Sequence, residues 1–405
     1  MKKEILANNI FGVDINPMAA EITRLRAWLS LMVEVDTDSS SKLKDIEPLP
    51  NLDFKFVSAN TLIQLSNDAG GSGSGSIFGE QIDKNAAALA NARNDYFNAN
   101  TPHAKINLRK HYYDLREEVK AKRDATGRSE KNDQLASWDP FDTSTTCGFF
   151  DSGEMFGITK FDCVIGNPPY VQIQKIKDKA LKKAYQNQNF ETFASTGDLY
   201  CLFYESAKSF LKAGGTCCLI TSNKWMRAAY GEKLRDWLCT QVNTKTLIDL
   251  GSGVFDTATV DTNILLYVNE SPAENVDCVE AKTKDALLNL DEFVSDNVSL
   301  MNFAKGESWV VLSEIEKSIK QKIERCGTPL KKWDISINYG IKTGCNEAFI
   351  VDGTTKDALI EKDPKSVEIL KPILRGRDIH RFGYDFADKW LIATHNGYFQ
   401  EGIRD

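Results

Sequence analysis

Apolar residues along the chain fall into short runs that alternate with helical spacings. The first run, Asn-Asn-Ile-Phe-Gly-Val-Asp over residues 8–14, ends in an acid, and Ile15-Asn16-Pro17 leads into residues 18–33, apolar at Ile22, Leu25, Trp28, Leu29 and Met32. Strand then helix is the repeating unit of an α/β sheet. Residues 36–50 are polar, and Asp-Phe-Lys-Phe-Val-Ser-Ala-Asn over residues 53–60 reads as the next strand. Gly-Gly-Ser-Gly-Ser-Gly-Ser at 70–76 is a flexible connector, natural or engineered. From residue 78 to about 135 the helical spacing of Ala, Asn, Lys, Arg and Glu predicts a helical insertion. Its excess of Lys and Arg between residues 105 and 131 reads first as a solvated helix face. Strand runs resume at 161–165, 216–221, 247–250 and 263–268, with a helix over 200–212. Strands separated by helical patterns predict a mostly parallel sheet covered on both faces. Polar helical segments follow residue 269, and Trp-Asp-Ile-Ser-Ile-Asn-Tyr-Gly-Ile-Lys-Thr-Gly at 333–344 opens a second domain.

Composition narrows the class. A chain of 405 residues, 42% hydrophobic and 26% charged, is ample for a large core and unlike a disordered or fibrous protein. No run approaches the 18 or so apolar residues of a membrane span, and the N-terminal residues lack the apolar core of a signal peptide. The cytoplasm is the expected address, with no membrane partner. Nine cysteines without a C-x-x-C pair read as reduced core thiols. Four scattered histidines leave little basis for zinc or a histidine triad, and no metal site is expected. With a net charge of −7, any nucleic-acid surface must be a local patch.

The strongest chemical signal is Asn167-Pro168-Pro169-Tyr170, directly after the strand at 161–165 and Gly166. Ligands of open α/β sheets bind outside the carboxyl ends of strands, where this corner falls. Each proline fixes its own φ and disfavours helix for the residue before it, so the corner is stiff. The Asn167 side-chain oxygen and the Pro168 carbonyl can together accept both hydrogens of a planar amine. Such a pair draws the lone pair of an adenine exocyclic amine out of conjugation and stabilises the charge that develops as it attacks. Tyr170 supplies a face for base stacking, worth about 1–3 kcal/mol per base. A proline turn that merely caps a strand is the plain alternative.

Asp14, at a strand tip, has the position from which an acid accepts hydrogen bonds from ribose hydroxyls; helix capping is an equal alternative. Leu-Ile-Asp-Leu-Gly-Ser-Gly at 247–253 imitates a cofactor loop, but no helix fits before the strand at 263–268. It reads as a turn between two late strands with Phe255 exposed at its tip. Lys175, Lys177, Lys179, Lys182 and Lys183 follow the proline corner against one acid, Asp178, placing charge where phosphates would pass or on an ordinary surface helix. Arg375, Arg377 and Arg381 contact phosphate or base edges, or equally form an ion-pair network.

Together these residues resemble the gamma-class amino DNA methyltransferases of bifunctional type II (type IIG) restriction–modification enzymes, with close relatives in BREX phage-defence systems. Ile-Phe-Gly-Val-Asp-Ile-Asn-Pro at 10–17, Phe-Asp-Cys-Val-Ile-Gly-Asn-Pro-Pro-Tyr at 161–170, Gly-Asp-Leu-Tyr at 197–200, Val-Phe-Asp-Thr-Ala-Thr-Val at 254–260 and Leu-Lys-Pro-Ile-Leu-Arg-Gly-Arg-Asp-Ile at 370–379 look like that family's landmarks in its order. The resemblance implies a Rossmann-like α/β sheet that uses S-adenosylmethionine to methylate the exocyclic amine of a flipped adenine in double-stranded DNA. It places Asp14 and Ile15 at the cofactor, Asn60 near its adenine, Asn167, Pro168, Pro169 and Tyr170 at the target base, and Phe255 on that base's other face. Lys175, Lys177, Lys182, Lys183, Arg375 and Arg377 become candidate DNA contacts. The expected division is a catalytic domain over 1–270, a helical connector over 271–330 and the start of a target-recognition domain over 331–405, to which 340–346 and the segment from Leu370 belong. The family's glycine-rich cofactor loop and its central strand precede the Asp14 motif, so a missing N-terminal segment of the same enzyme is an expected partner. No nuclease centre stands out. Two rival readings are a glutamine or ribosomal RNA methyltransferase built on the same corner, and a catalytically silent DNA-binding or subunit-interaction fragment.

Overall fold

The computed structural model describes residues 2–33, 51–66, 88, 89, 91–99, 101–125, 130–255, 260–336, 340, 341 and 343–394. The chain divides into two compact units, Met1–Gln321 and Lys322–Asp405. The connector at 70–76 lies outside the described residues.

The first unit is built on a six-stranded mixed sheet. In chain order its strands are β3 (Phe161–Gly166), β4 (Leu211–Ser222), β5 (Asn243–Gly251), β6 (Thr262–Val268), β7 (Val276–Glu280) and β8 (Ser299–Met301), arranged β3-β4-β6-β5-β7-β8. A separate parallel pair joins β1 (Gly12–Asp14) to β2 (Phe56–Ser58), with Val13 opposite Val57. Among the described residues β1 and β3 each pair on one edge only.

The sheet is less parallel than the helical spacers predict: β3 with β4 and β5 with β7 run parallel, whereas β6 is antiparallel to β4 and β5, and β8 to β7. The cause is the connection at 252–261, which holds no crossover helix among its described residues, so β6 must run back beside β5. The same fact supports the turn expected there. Residues 276–280 and 299–301, assigned by pattern to a helical connector, add two strands to the sheet; Val-Asp-Cys-Val-Glu breaks alternation at its fourth residue, and 299–301 is only three residues long.

Other boundaries move for local reasons. The helix expected over 200–212 is Tyr200–Phe210, because Leu211 is already extended and opens β4. A Cβ on Gly215 would stand 3.1 Å from the Phe161 carbonyl oxygen, so only glycine lets β4 approach β3 there. The strand expected over 8–14 shrinks to Gly12–Asp14, because Asn8 closes the helix Lys2–Asn8. The helix Pro17–Met32 forms as expected, capped by Asn16 and opened by Pro17.

Helices Tyr200–Phe210 and Glu232–Gln241 bury Tyr200, Tyr204, Leu234 and Trp237 with Cys217, Leu219, Leu247, Leu265 and Tyr267 of the strands. Ile248, Leu250 and Val279, with Ile264 beside them, pack against Ala286, Leu287, Leu290 and Phe293. Leu247 and Ile248 thus enter different cores, the period-two alternation of a strand buried on both faces. Each such side chain removed from water contributes about 1.5–3 kcal/mol. β3 is the exception, with Ile165 77% exposed.

The helical insertion is borne by Pro102–Ala125 and Glu130–Ser137, which bury Tyr112, Val119 and Leu135 with Phe54 and Trp138. Not all of its cations are solvated: Arg116 donates to the Leu135 carbonyl, and Arg109 lies 4.6 Å from the Phe141 ring centre. The second unit holds a three-stranded antiparallel sheet of β9 (Ile350–Asp352), β10 (Leu370–Pro372) and β13 (Lys389–Ile392), with β13 between the others. A two-stranded hairpin of β11 (Ile379–His380) and β12 (Gly383–Tyr384) accompanies it.

Candidate active site

The first unit holds a cavity of about 770 Å³ whose walls include Gly12, Val13, Asp14 and Ile15 together with Cys163 to Pro169. The carboxyl ends of β1 and β3 therefore line one space. Its apolar end holds Phe11, Phe156 and Phe161, with Phe11 5.2 Å from Phe156 and 5.7 Å from Phe161 between ring centres.

Asp14 uses one carboxylate oxygen, Oδ1, to accept the Asn16 amide at 2.7 Å; Oδ2 has no hydrogen bond among the described residues. The helix is capped by Asn16, whose Oδ1 accepts from the Met18 amide at 3.0 Å. Capping, the alternative role for Asp14, thus falls to its neighbour. The Asp14 carbonyl accepts from the Ala59 amide at 3.0 Å, and Thr146 donates to the Ile15 carbonyl at 2.8 Å, which fixes the backbone of the strand tip.

Asn60 is buried and lines the same cavity. Its Nδ2 donates to the Tyr185 hydroxyl at 3.1 Å and its Oδ1 accepts from the Leu62 amide at 3.2 Å, so the side chain is locked by the protein itself. Tyr185 shares the wall, and burial pushes its phenol upward in pKa while the Asn60 hydrogen bond opposes this.

Asn167, Pro168 and Pro169 line the same cavity as Asp14. Pro168 is buried, whereas Asn167 and Pro169 are exposed. Neither the Asn167 amide nor the Pro168 carbonyl takes part in a hydrogen bond among the described residues, so both acceptors remain available to a ligand. Tyr170, expected at the target base, lies half-buried behind the corner against the core cluster and is absent from the cavity walls. Its ring meets Tyr200 edge-on with centres 6.0 Å apart, its hydroxyl reaches the Ile220 carbonyl at 3.4 Å, and burial raises its pKa.

The remaining candidates lie elsewhere. Phe255, expected exposed, is half-buried and is absent from the cavity walls; its neighbour Val254 packs on the Ile248 and Leu250 cluster and draws the turn down. Lys175, Lys177 and Lys183 are exposed and Lys182 is half-buried; none of them ion-pairs among the described residues. Asp178, the one acid in that stretch, caps the helix Lys179–Asn187 through the Ala180 and Leu181 amides. In the second unit Arg375 grips Asp378 with Nε and Nη2, both at 2.9 Å, and this holds the Asp378 carboxyl down to about 2. The ion-pair reading therefore fits Arg375, while Arg377 is exposed.

The pattern of the chain did not single out Tyr185, Phe11 or Phe203 as cavity residues. The helical spacing of Leu181 and Tyr185 was the available signal, since it puts Tyr185 on the buried face of its helix.

A profile of the family described as Eco57I restriction-modification methylase matches residues 8–255. The type II methyltransferase M.BstVI of Geobacillus stearothermophilus is 27% identical over 260 residues, which cover 58% of this chain and 44% of that one. The type II restriction enzyme and methyltransferase RM.Eco57I of Escherichia coli is 25% identical over 231 residues, 56% of this chain and 22% of that one. Among solved structures, the type IIL restriction-modification enzyme MmeI in complex with DNA aligns with a TM-score of 0.47 and 13% identity, over 99% of this chain and 47% of that chain. The chain spans less than half the length of each.

Proposed function

Because the chain belongs to the Eco57I restriction-modification methylase family, we propose that it carries the catalytic part of an adenine-specific DNA methyltransferase. The reaction is transfer of a methyl group from S-adenosylmethionine to the exocyclic amine of an adenine flipped out of duplex DNA, within a restriction–modification or phage-defence enzyme acting in the cytoplasm. One observation carries the reading: Asp14 and the stiff Asn167-Pro168 corner line one cavity, each with an acceptor that has no hydrogen bond among the described residues.

The residues present fit the cofactor. Asp14 Oδ2 is an acceptor for ribose hydroxyls, and the apolar wall around Asn60, Leu62 and Tyr185 suits a purine. When bound, S-adenosylmethionine supplies an electrophilic methyl group. The protein's part is to hold the amine. Asn167 Oδ1 and the Pro168 carbonyl accept its two hydrogens, which localises the lone pair on nitrogen and stabilises the positive charge that grows there. Because φ is fixed at both prolines, these acceptors need no reorganisation during the step. Tyr170 offers a stacking face for the extruded base, and flipping costs a few kcal/mol that such stacking offsets. The lysines from 175 to 183 supply cations beside the corner for phosphates.

Among the described residues β1 and β3 each pair on one edge only and both line the cavity, which supports a further part of the reading, that a strand from another segment of the same enzyme completes the sheet and brings a glycine-rich loop to the cofactor. Membership of a restriction-modification family favours DNA over a glutamine side chain or ribosomal RNA as the target.

The test is methylation of plasmid DNA by the natural full-length protein and its Asn167→Ala variant. Removal of one preorganised polar group from such a site costs about 10²–10³ in rate, so the variant should be nearly silent while binding DNA as before. Equal activity in the two proteins ends the proposal.

A further inference from the structure

The Tyr170 ring packs against the end of a polar chain formed by Asp198, Tyr230 and Tyr200. Asp198 is 6% exposed, and its Oδ2 accepts the Tyr230 hydroxyl at 2.8 Å. The Tyr230 oxygen lies 2.9 Å from the hydroxyl of Tyr200, a fully buried side chain whose ring meets Tyr170 edge-on at 84°. The backbone around Asp198 grips the chain just beyond Tyr170. The Leu199 amide donates to the Val171 carbonyl at 2.9 Å, the Ile173 amide donates to the Gly197 carbonyl at 2.8 Å, and Asp198 bridges Gln172.

We propose that Asp198 is a positioning residue that sets the plane of Tyr170 through the hydroxyls of Tyr230 and Tyr200. The inference rests on the reading of Asn167-Pro168-Pro169-Tyr170 as a clamp for a nucleobase amine. A carboxylate only accepts hydrogen bonds, so it turns the Tyr230 hydrogen toward itself and leaves the Tyr230 oxygen to accept from Tyr200. The chain is thereby polarised in one direction, and the Tyr200 ring has one favoured seat. A buried carboxyl group is costly unless hydrogen-bonded, and an apolar pair at these positions would fill the same space. What the polar chain adds is orientation: edge-to-face contact depends on the angle between rings, and a base that stacks on Tyr170 inherits that angle. Asp198, Tyr230, Tyr200 and Tyr170 all lie outside the cavity walls, and Tyr170 alone of the four adjoins wall residues of the proline corner, so the other three act on the reaction through it.

Tyr230→Phe removes one hydroxyl and keeps the ring. The natural full-length protein and this variant are compared on a duplex carrying 2-aminopurine at the base the enzyme methylates, and on the unmodified duplex for kcat and KM. The expected result is a variant with parental melting temperature and KM for DNA, but with kcat and the fluorescence rise on binding both reduced about tenfold, the factor that corresponds to about 1.4 kcal/mol. Asp198→Asn, which keeps an acceptor oxygen but can also donate, should show the same split with a smaller loss. Unchanged kcat and fluorescence in Tyr230→Phe overturn the inference while leaving the clamp intact. A fall in melting temperature that accounts for the lost activity in both variants also overturns it, since the chain would then serve stability alone. A parent protein that neither methylates DNA nor raises the fluorescence overturns the clamp, and this inference with it.

Discussion

Asn167 carries the proposed chemistry because its amide sits on stiff backbone and is committed to no other group among the described residues. An exposed side chain without partners contributes little to folding, so its replacement separates activity from stability within about 0.5 kcal/mol. Asp14 is different in kind. One oxygen organises the turn through the Asn16 amide, and the other is free for a ligand. Asp14→Asn keeps the shape but turns a charge-assisted hydrogen bond, worth about 1.5–3 kcal/mol, into a neutral one. Calorimetry on the natural full-length protein should then show S-adenosylmethionine affinity lowered about tenfold with DNA affinity retained. Asn167 and Asp14 were legible in the chain because prolines and strand tips act on their immediate neighbours. Tyr185, Tyr200, Tyr230 and Asp198 were not legible as cavity or supporting residues, because their roles depend on partners brought together by folding.

Among the elements, β3 combines two roles that conflict in an ordinary sheet. It anchors the proline corner through its pairing with β4, yet it leaves its other edge and Ile165 uncovered. Exposed edges invite pairing with another strand, and here Cys163 to Gly166 of the same strand line the cavity. The helix Lys179–Asn187 joins the corner to a basic surface: Tyr185 faces inward to Asn60, and Lys183 faces solvent. If the lysines meet phosphates, replacing Lys175, Lys177, Lys182 and Lys183 together by Gln should weaken DNA binding on every sequence alike. The slope of log affinity against log salt should fall by about 0.9 for each phosphate that is no longer neutralised. Filter binding across a salt series checks this, and an unchanged slope would return the lysines to the status of a solvated face. Strand direction at β6 could be inferred from its short connection to β5, whereas β7 was hidden because its acids at Asp277 and Glu280 break the alternation and β8 because it has only three residues.

For the whole molecule, the separation of the β1–β2 pair from the six-stranded sheet is the feature with the widest consequence. It leaves the candidate cofactor side and the candidate target-base side linked by one open cavity rather than by continuous pairing. The sequence by itself determined the stiff corner, the acid at a strand tip, the helix that follows it, the turn between β5 and β6 and the family to which these belong. Each of these follows from neighbouring residues, through fixed φ, capping, or the period of apolar positions. Only the tertiary structure decided that Asp14 and Asn167 share a cavity, that Asn60 is locked by Tyr185, that Arg375 is held by Asp378, and that a carboxylate stands behind Tyr170. The reason is physical: local pattern fixes which face of an element is buried, while the partner it is buried against is chosen by packing among segments far apart in the chain.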